Sequence, residues 1–272
     1  MKYLLKDLEN IQTILKDKNI FLFLDYDGTL TPIVDNPKQA ALAQETSDLL
    51  NQLSKKSGLI LAIISGRALE DIKKKVGIEG IIYAGNHGLE AEGPGIIFKS
   101  LVSRRAKAII KHIKDNLTQK FSIIKGILVE DKKLTLSIHY RLIEKGKRPL
   151  LKKLLVNILQ PYYNKNKIII KKGKMVIEIR PSVEWDKGKI VLWLLERQRI
   201  IFNNKIRTPP VTNEVLPIYI GDDLTDEDAF KTIKGKGLTV VVGKKRVSEA
   251  EYYLKNVNDV LKFLREVDGK KK

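Results

Sequence analysis

The sequence contains no cysteine. Disulfides, thiolate nucleophiles and cysteine-ligated zinc sites are therefore excluded. Histidine is scarce, with only His87, His112 and His139, so a histidine-rich metal centre has no basis. Any metal must be a hard cation held by carboxylate oxygens. Long apolar runs are missing as well: none approaches the roughly 18 residues of a membrane span. The N-terminal MKYLLKDLENIQTILKDK mixes charges with leucines and lacks the continuous apolar stretch and small-residue cleavage site of a signal peptide. A cytoplasmic protein with no membrane partner is expected. Aromatics make up 7% of the residues and no nucleic-acid motif is recognisable, so nucleic acid is not expected as a partner. What is present, 43% hydrophobic and 31% charged residues over 272 positions, describes a globular chain able to bury one large core or two modest ones, and a monomer is expected.

Charge is abundant and uneven. Residues 103–180 hold 21 Lys and Arg against 5 Asp and Glu, a net of +16, whereas all the others hold 30 against 27. The excess is either a solvated lysine-rich surface or a field that attracts an anion.

The two flanks of that block share one rhythm. The strand 20–24, the helical spacing of Leu49, Leu50 and Leu53, the buried strand LILAII (59–64), the helix ALEDIKKKV and the strand GIIYAG alternate, as do LPIYIGDD, DEDAFKTI and LTVVVG further on. Alternation of strands and helices predicts a parallel sheet with crossover helices. The middle breaks it. SRRAKAIIKHIKDNL and RPLLKKLLVNIL read as helices, FSIIKGILVED and KKLTLSIHYR as paired strands, and NKIIIKKGKMVIEIRP as a hairpin through Lys172-Gly173. The fold class is thus α/β, a parallel-sheet core formed by 1–102 and 181–272, with an inserted αββαββ domain of α+β type at 103–180.

Carboxylates mark the strand ends. LFLDYDGTL (22–30) places Asp25 and Asp27 where an apolar run stops, and IYIGDDLTDEDAF (218–230) places Asp222 and Asp223 likewise, with Asp226 close behind. An Asp-Gly turn alone would explain the first pair. Ligands of open parallel sheets, however, bind at the carboxyl ends of strands. If the two strands are neighbours, up to four carboxylates converge, and their repulsion calls for a divalent cation such as Mg²⁺. LILAII ends in Ser65, Gly66 and Arg67, where a hydroxyl and backbone amides at a helix N-terminus would cradle an anion. In EWDKGK, Lys187 precedes a helix.

The ordered set D-x-D-G-T, S-G-R, a later lysine and G-D-D-x-T-D-E resembles the haloacid dehalogenase superfamily of phosphatases. The resemblance implies a Rossmann-like core and an aspartyl-phosphate mechanism: Asp25 as nucleophile, Asp27 as acid and then base, Ser65 and Lys187 on the transferring phosphoryl group. It also implies Mg²⁺ held by Asp25, the Asp27 carbonyl and Asp222, with Asp223 as an auxiliary ligand. The insert resembles the C2-type caps of sugar phosphatases. YAGNHGLE, VEDKKLTLSIHYR and GKMVIEIRPSVEWDKG resemble the trehalose-6-phosphate phosphatase family in particular. That likeness implies Mg²⁺-dependent release of phosphate from trehalose 6-phosphate, a step of trehalose biosynthesis. Glu130, Lys132, Arg141 and Glu178 would grip the glucose units, and Gly66, Arg67, Asn86, His87 and Gly88 would complete the substrate-binding set. Sucrose phosphate, mannosylglycerate phosphate and glucosylglycerol phosphate are the alternative substrates. A basic binding module on an inactive core is the alternative of another class.

Overall fold

A computed structural model describes residues 1–99, 102–173, 175–198, 200–201, 215–243 and 247–270. The first stretch runs β1 (Lys2–Tyr3), α1 (Leu8–Leu15), β2 (Asn19–Leu24), α2 (Gln44–Lys55), β3 (Leu59–Ile64), α3 (Leu69–Val76), β4 (Ile82–Gly85), β5 (Glu90–Gly93) and β6 (Ile96–Lys99). Then come α4 (Arg104–Phe121), β7 (Leu128–Asp131), β8 (Leu136–His139), α5 (Arg148–Tyr163), β9 (Ile168–Gly173) and β10 (Val176–Pro181). The chain continues through α6 (Lys187–Glu196), β11 (Val215–Gly221), α7 (Glu227–Ile233), β12 (Leu238–Val242), β13 (Tyr252–Leu254) and α8 (Val257–Lys270). Two compact units result, one of residues 1–99 and 185–272, the other of residues 100–184.

The larger unit is built on a sheet of order β1-β13-β12-β11-β2-β3-β4-β5-β6. It is parallel from β1 to β4. Its central strands are apolar throughout because both faces are covered. Leu22 and Leu24 of β2 join a core with Leu50, Ile72 and Phe263 from α2, α3 and α8. Phe21 and Phe23, on the opposite pleat, pack with Ile190, Leu194 and Phe230 from α6 and α7. β2 and β11 are neighbours, with Leu24 opposite Ile220, so both acidic motifs emerge side by side at the carboxyl edge. The parallel pattern ends at β4, since β5 and β6 add an antiparallel hairpin. The alternation rule misses this pair because EAEG in β5 is polar and poor in strand-forming residues; only Ala91 faces a core.

The smaller unit is an antiparallel sheet of order β7-β8-β10-β9. Leu136, Ile138 and Ile179 on one face pack with Ile113 and Leu117 of α4 and Leu155 and Leu159 of α5. Two sequence expectations need correction. The strand read into FSIIKGILVED is shorter: Phe121 ends α4, Ile124 is buried in a turn, and only Leu128–Asp131 is extended. The reversal between β9 and β10 falls after Gly173 rather than at Lys172-Gly173, since both residues pair within the ladder. Met175 carries a positive φ of 65°, and residue 174 lies outside the described residues.

Candidate active site

The acidic edge of the larger sheet is organised around one lysine. Lys187 opens α6, and its Nζ donates to Asp25 Oδ1 at 2.6 Å and to Asp226 Oδ1 at 2.7 Å. All three side chains are buried. Asp226 Oδ1 also accepts from the Tyr219 hydroxyl at 2.8 Å, and its Oδ2 accepts from the Asp223 amide at 2.9 Å. Asp25, Asp222 and Asp226 each present an oxygen within 4.8 Å of the others. Gly28, at φ 94°, lets the chain pass directly over Asp222; a Cβ there would overlap the Asp222 carboxylate.

The electrostatics follow from three clustered buried carboxylates, two of which bond one ammonium. Burial pushes the Asp25 carboxyl well above its ordinary range; Lys187 pulls it down, and Asp226 and Asp222 push it further up. Burial works against the charge on Lys187, but Asp226 and Asp25 outweigh it and hold the ammonium protonated. The uncompensated negative charge makes these oxygens a fit for a divalent cation. Of the three, Asp226 accepts from Lys187, Tyr219 and the Asp223 amide, and Asp25 accepts from Lys187. Asp223 is the residue expected as an auxiliary ligand. It precedes the short 3-10 turn Leu224–Asp226, and its Oδ1 accepts from the Leu224 amide at 2.7 Å. The carboxyl that joins the cluster is that of Asp226, four residues after Asp222.

Asp27 is not one of the three clustered carboxylates. Arg67 grips its carboxylate at two points, Nε to Oδ2 and a terminal nitrogen to Oδ1, both at 2.7 Å. The same guanidinium reaches Asp71 at 2.9 Å and the Pro37 carbonyl at 2.9 Å. Arg67, expected on the substrate, is here engaged by Asp27 and Asp71. The Ser65 hydroxyl is buried and accepts from the Arg67 amide at 3.1 Å. It sits in a turn rather than at a helix start, because α3 begins only at Leu69 with Ala68 as its cap.

Beside that turn lies a strained loop. Asn86, His87 and Gly88 carry φ values of 50°, 57° and 89° in succession. Two consecutive non-glycine residues in the left-handed region are costly, by about 1–3 kcal/mol each, and need outside support. The Asn86 amide donates to the Arg67 carbonyl at 2.6 Å, and the His87 amide to the Ser65 carbonyl at 2.9 Å. Asn86 Nδ2 donates to Glu90 at 2.8 Å, and Trp185 Nε1 to the Gly88 carbonyl at 2.6 Å. Gly66 faces the His87 ring so closely that a Cβ would collide with it.

In the smaller unit, the face of the sheet opposite α4 and α5 is polar. Glu130, Ser137 and Glu178 stand in register across β7, β8 and β10. Glu130 Oε2 lies 2.8 Å from His139 Nε2. Lys132 Nζ lies 3.4 Å from Glu178 Oε1, and Arg180 pairs with Glu178 Oε2. Arg141 follows β8 in a turn. Motif resemblance singles out neither His139 nor Arg180. The signal that could find them is the period of two, which puts Arg180 on the same face as Glu178 and His139 opposite Glu130's strand.

The same stretches of chain are shared with known proteins. A trehalose-phosphatase family model matches residues 23–259. Trehalose-phosphate phosphatase B of Arabidopsis thaliana is 34% identical over 97% of this chain and 70% of its own length. Probable trehalose-phosphate phosphatase D of the same plant is 35% identical over 94% of this chain and 69% of its own. The C-terminal domain of C. albicans trehalose-6-phosphate phosphatase has the same fold, with a TM-score of 0.77 at 25% identity over 98% of each chain. The matched span runs from the strand before Asp25 to beyond the Asp222 motif and includes the basic insert, and this chain belongs to the trehalose-phosphatase family.

Proposed function

We propose that this chain hydrolyses trehalose 6-phosphate to trehalose and phosphate, as a cytoplasmic monomer acting in trehalose biosynthesis. The observation that carries the reading is the buried Asp25–Lys187–Asp226 chain at the edge where β2 and β11 meet, in a chain whose family match spans residues 23–259. Asp25 attacks phosphorus, forming an aspartyl phosphate and releasing the sugar oxygen. Asp27 protonates that oxygen and then takes a proton from the water that hydrolyses the acyl phosphate. To do so its carboxylate must leave at least one of its two bonds to Arg67. Lys187 and Ser65 hold the phosphoryl oxygens and offset their charge. Asp25, Asp222 and the Asp27 carbonyl would hold Mg²⁺. When bound, that ion supplies the positive charge that lets an anionic nucleophile approach an anionic ester.

The insert, residues 103–180 with the strand end that follows, serves as the cap that chooses the substrate. Glu130, Lys132, Arg141 and Glu178 supply the acceptors and donors that sugar hydroxyls need, and three of them lie on or beside the polar sheet face. Asn86, His87 and Gly88 belong to the same substrate set, a reading supported by the hydrogen bonds from their loop to the Arg67 and Ser65 carbonyls. The test is phosphate release from trehalose 6-phosphate, sucrose phosphate and glucose 6-phosphate, with Mg²⁺ and with EDTA. Trehalose 6-phosphate turns over far faster than glucose 6-phosphate, and chelation abolishes both rates. Equal rates on the two substrates would leave only a general sugar phosphatase, and full activity in chelator would remove the metal.

A further inference from the structure

The polar face of the inserted sheet carries a buried cation to which the mechanism gives no part. Arg180 is 5% exposed and follows Glu178 by two residues on β10, so both side chains rise from one face. Its Nε donates to Glu178 Oε2 at 2.8 Å, and a terminal nitrogen donates to the same oxygen. Glu178 is its one carboxylate partner among the described residues. A guanidinium usually meets a carboxylate with one nitrogen per oxygen. Here both nitrogens converge on Oε2, and Oε1 is the oxygen turned toward Lys132 Nζ, at 3.4 Å. An acceptor and a donor therefore stand side by side, the arrangement that fits two adjacent hydroxyls of a sugar ring.

We propose that Arg180 is a positioning residue for substrate recognition: by gripping Oε2 it sets the Glu178 carboxylate so that Oε1 and Lys132 Nζ together take vicinal hydroxyls of the glucose remote from the phosphate. The inference rests on the reading of Glu178 and Lys132 as sugar contacts. Arginine suits the task where lysine does not. Two N–H groups of one rigid plane hold Oε2 in place together, whereas an ammonium offers no such fixed pair. A merely structural ion pair would hold the sheet together and leave recognition unchanged.

The experiment is a kinetic cycle on trehalose 6-phosphate with Arg180→Met, Arg180→Lys, Glu178→Gln and the double variant Arg180→Met/Glu178→Gln, with melting temperatures recorded for each. Arg180→Met raises KM by about 10- to 100-fold, the size of one lost charged hydrogen bond, and lowers kcat by much less. Arg180→Lys melts close to wild type yet keeps part of the KM defect, and it carries the test if the methionine variant fails to fold. In the Glu178→Gln background, Arg180→Met adds little, because the residue acts through Glu178. Losses that multiply, or a lowered melting temperature with KM unchanged in both Arg180 variants, would overturn the proposal. A Glu178→Gln enzyme with wild-type KM would instead remove the sugar-contact reading on which the proposal depends.

Discussion

At the scale of single residues, the decisive fact is that two buried acids, Asp25 and Asp226, share one lysine with a third, Asp222, beside them. Asp25 is pushed up first by burial and then by Asp226 and Asp222, against the pull of Lys187. A carboxyl raised by folding lends stability that is complete below its unfolded pKa, near ~4, and is lost as pH rises through the folded value. At neutral pH, without metal, the Asp25 charge therefore works against the fold. Asp25→Asn removes that charge while keeping an oxygen for Lys187. It should lose turnover by about 10⁴-fold or more and melt, in EDTA, no lower than wild type. A variant that melts well below wild type would show that the Asp25 charge supports the structure. The core acids are legible in the sequence because apolar strands run straight into them. Which of the adjacent Asp222 and Asp223 turns inward is not, since that depends on where the strand stops and the 3-10 turn Leu224–Asp226 begins. Arg67 is legible as a residue of the site but not as the clamp on Asp27, a contact across 40 residues.

At the scale of elements, the buried parallel strands and the helices covering them declare themselves through continuous apolar runs and helical spacing. Short or polar strands do not: β1 pairs only Lys2 and Tyr3, to Tyr252 and Tyr253, and β5 is half acidic. Such strands exist because a neighbour offers a ladder, which is information outside their own sequence. One element is pinned by a side chain that can be tested. Tyr83 of β4 donates its hydroxyl to the Ile78 carbonyl at 2.7 Å and accepts from the Ile78 amide at 3.0 Å, fixing the turn that leads from α3. Burial raises its phenol to about 12. The stability tied to that proton is whole below pH ~10 and falls as pH climbs toward the folded value. Tyr83→Phe should cost about 1–2 kcal/mol at pH 7. Urea unfolding at pH 8 and at pH 11.5 should show the gap to wild type closing at the higher pH; a constant gap would mean the phenol titrates normally.

At the scale of the whole molecule, the charge is divided very unequally along the chain: +16 in residues 103–180 against +3 elsewhere. Within the insert, Lys114 pairs with Asp131, and Lys132 and Arg180 with Glu178, but the bases far outnumber the acids. If this field draws in the sugar phosphate, salt should lower kcat/KM more than kcat, since screening acts on encounter. A flat kcat/KM between about 20 and 300 mM salt, a range over which the Debye length falls several-fold, would return the charge to surface solvation. The sheet order has a different consequence, one of timing. β2, which carries Asp25, lies between β3 and β11, and its pairing with β11 joins Asn19 to Val215. The insert closes its own four-stranded ladder from residues 128–181 alone. Contacts so distant along the chain are slow to form. A growing or refolding chain would then secure its inserted unit first and hold the acidic edge of the large sheet open until the late strands arrive. Pulsed hydrogen exchange during refolding should find β8 and β10 protected before β2 and β11.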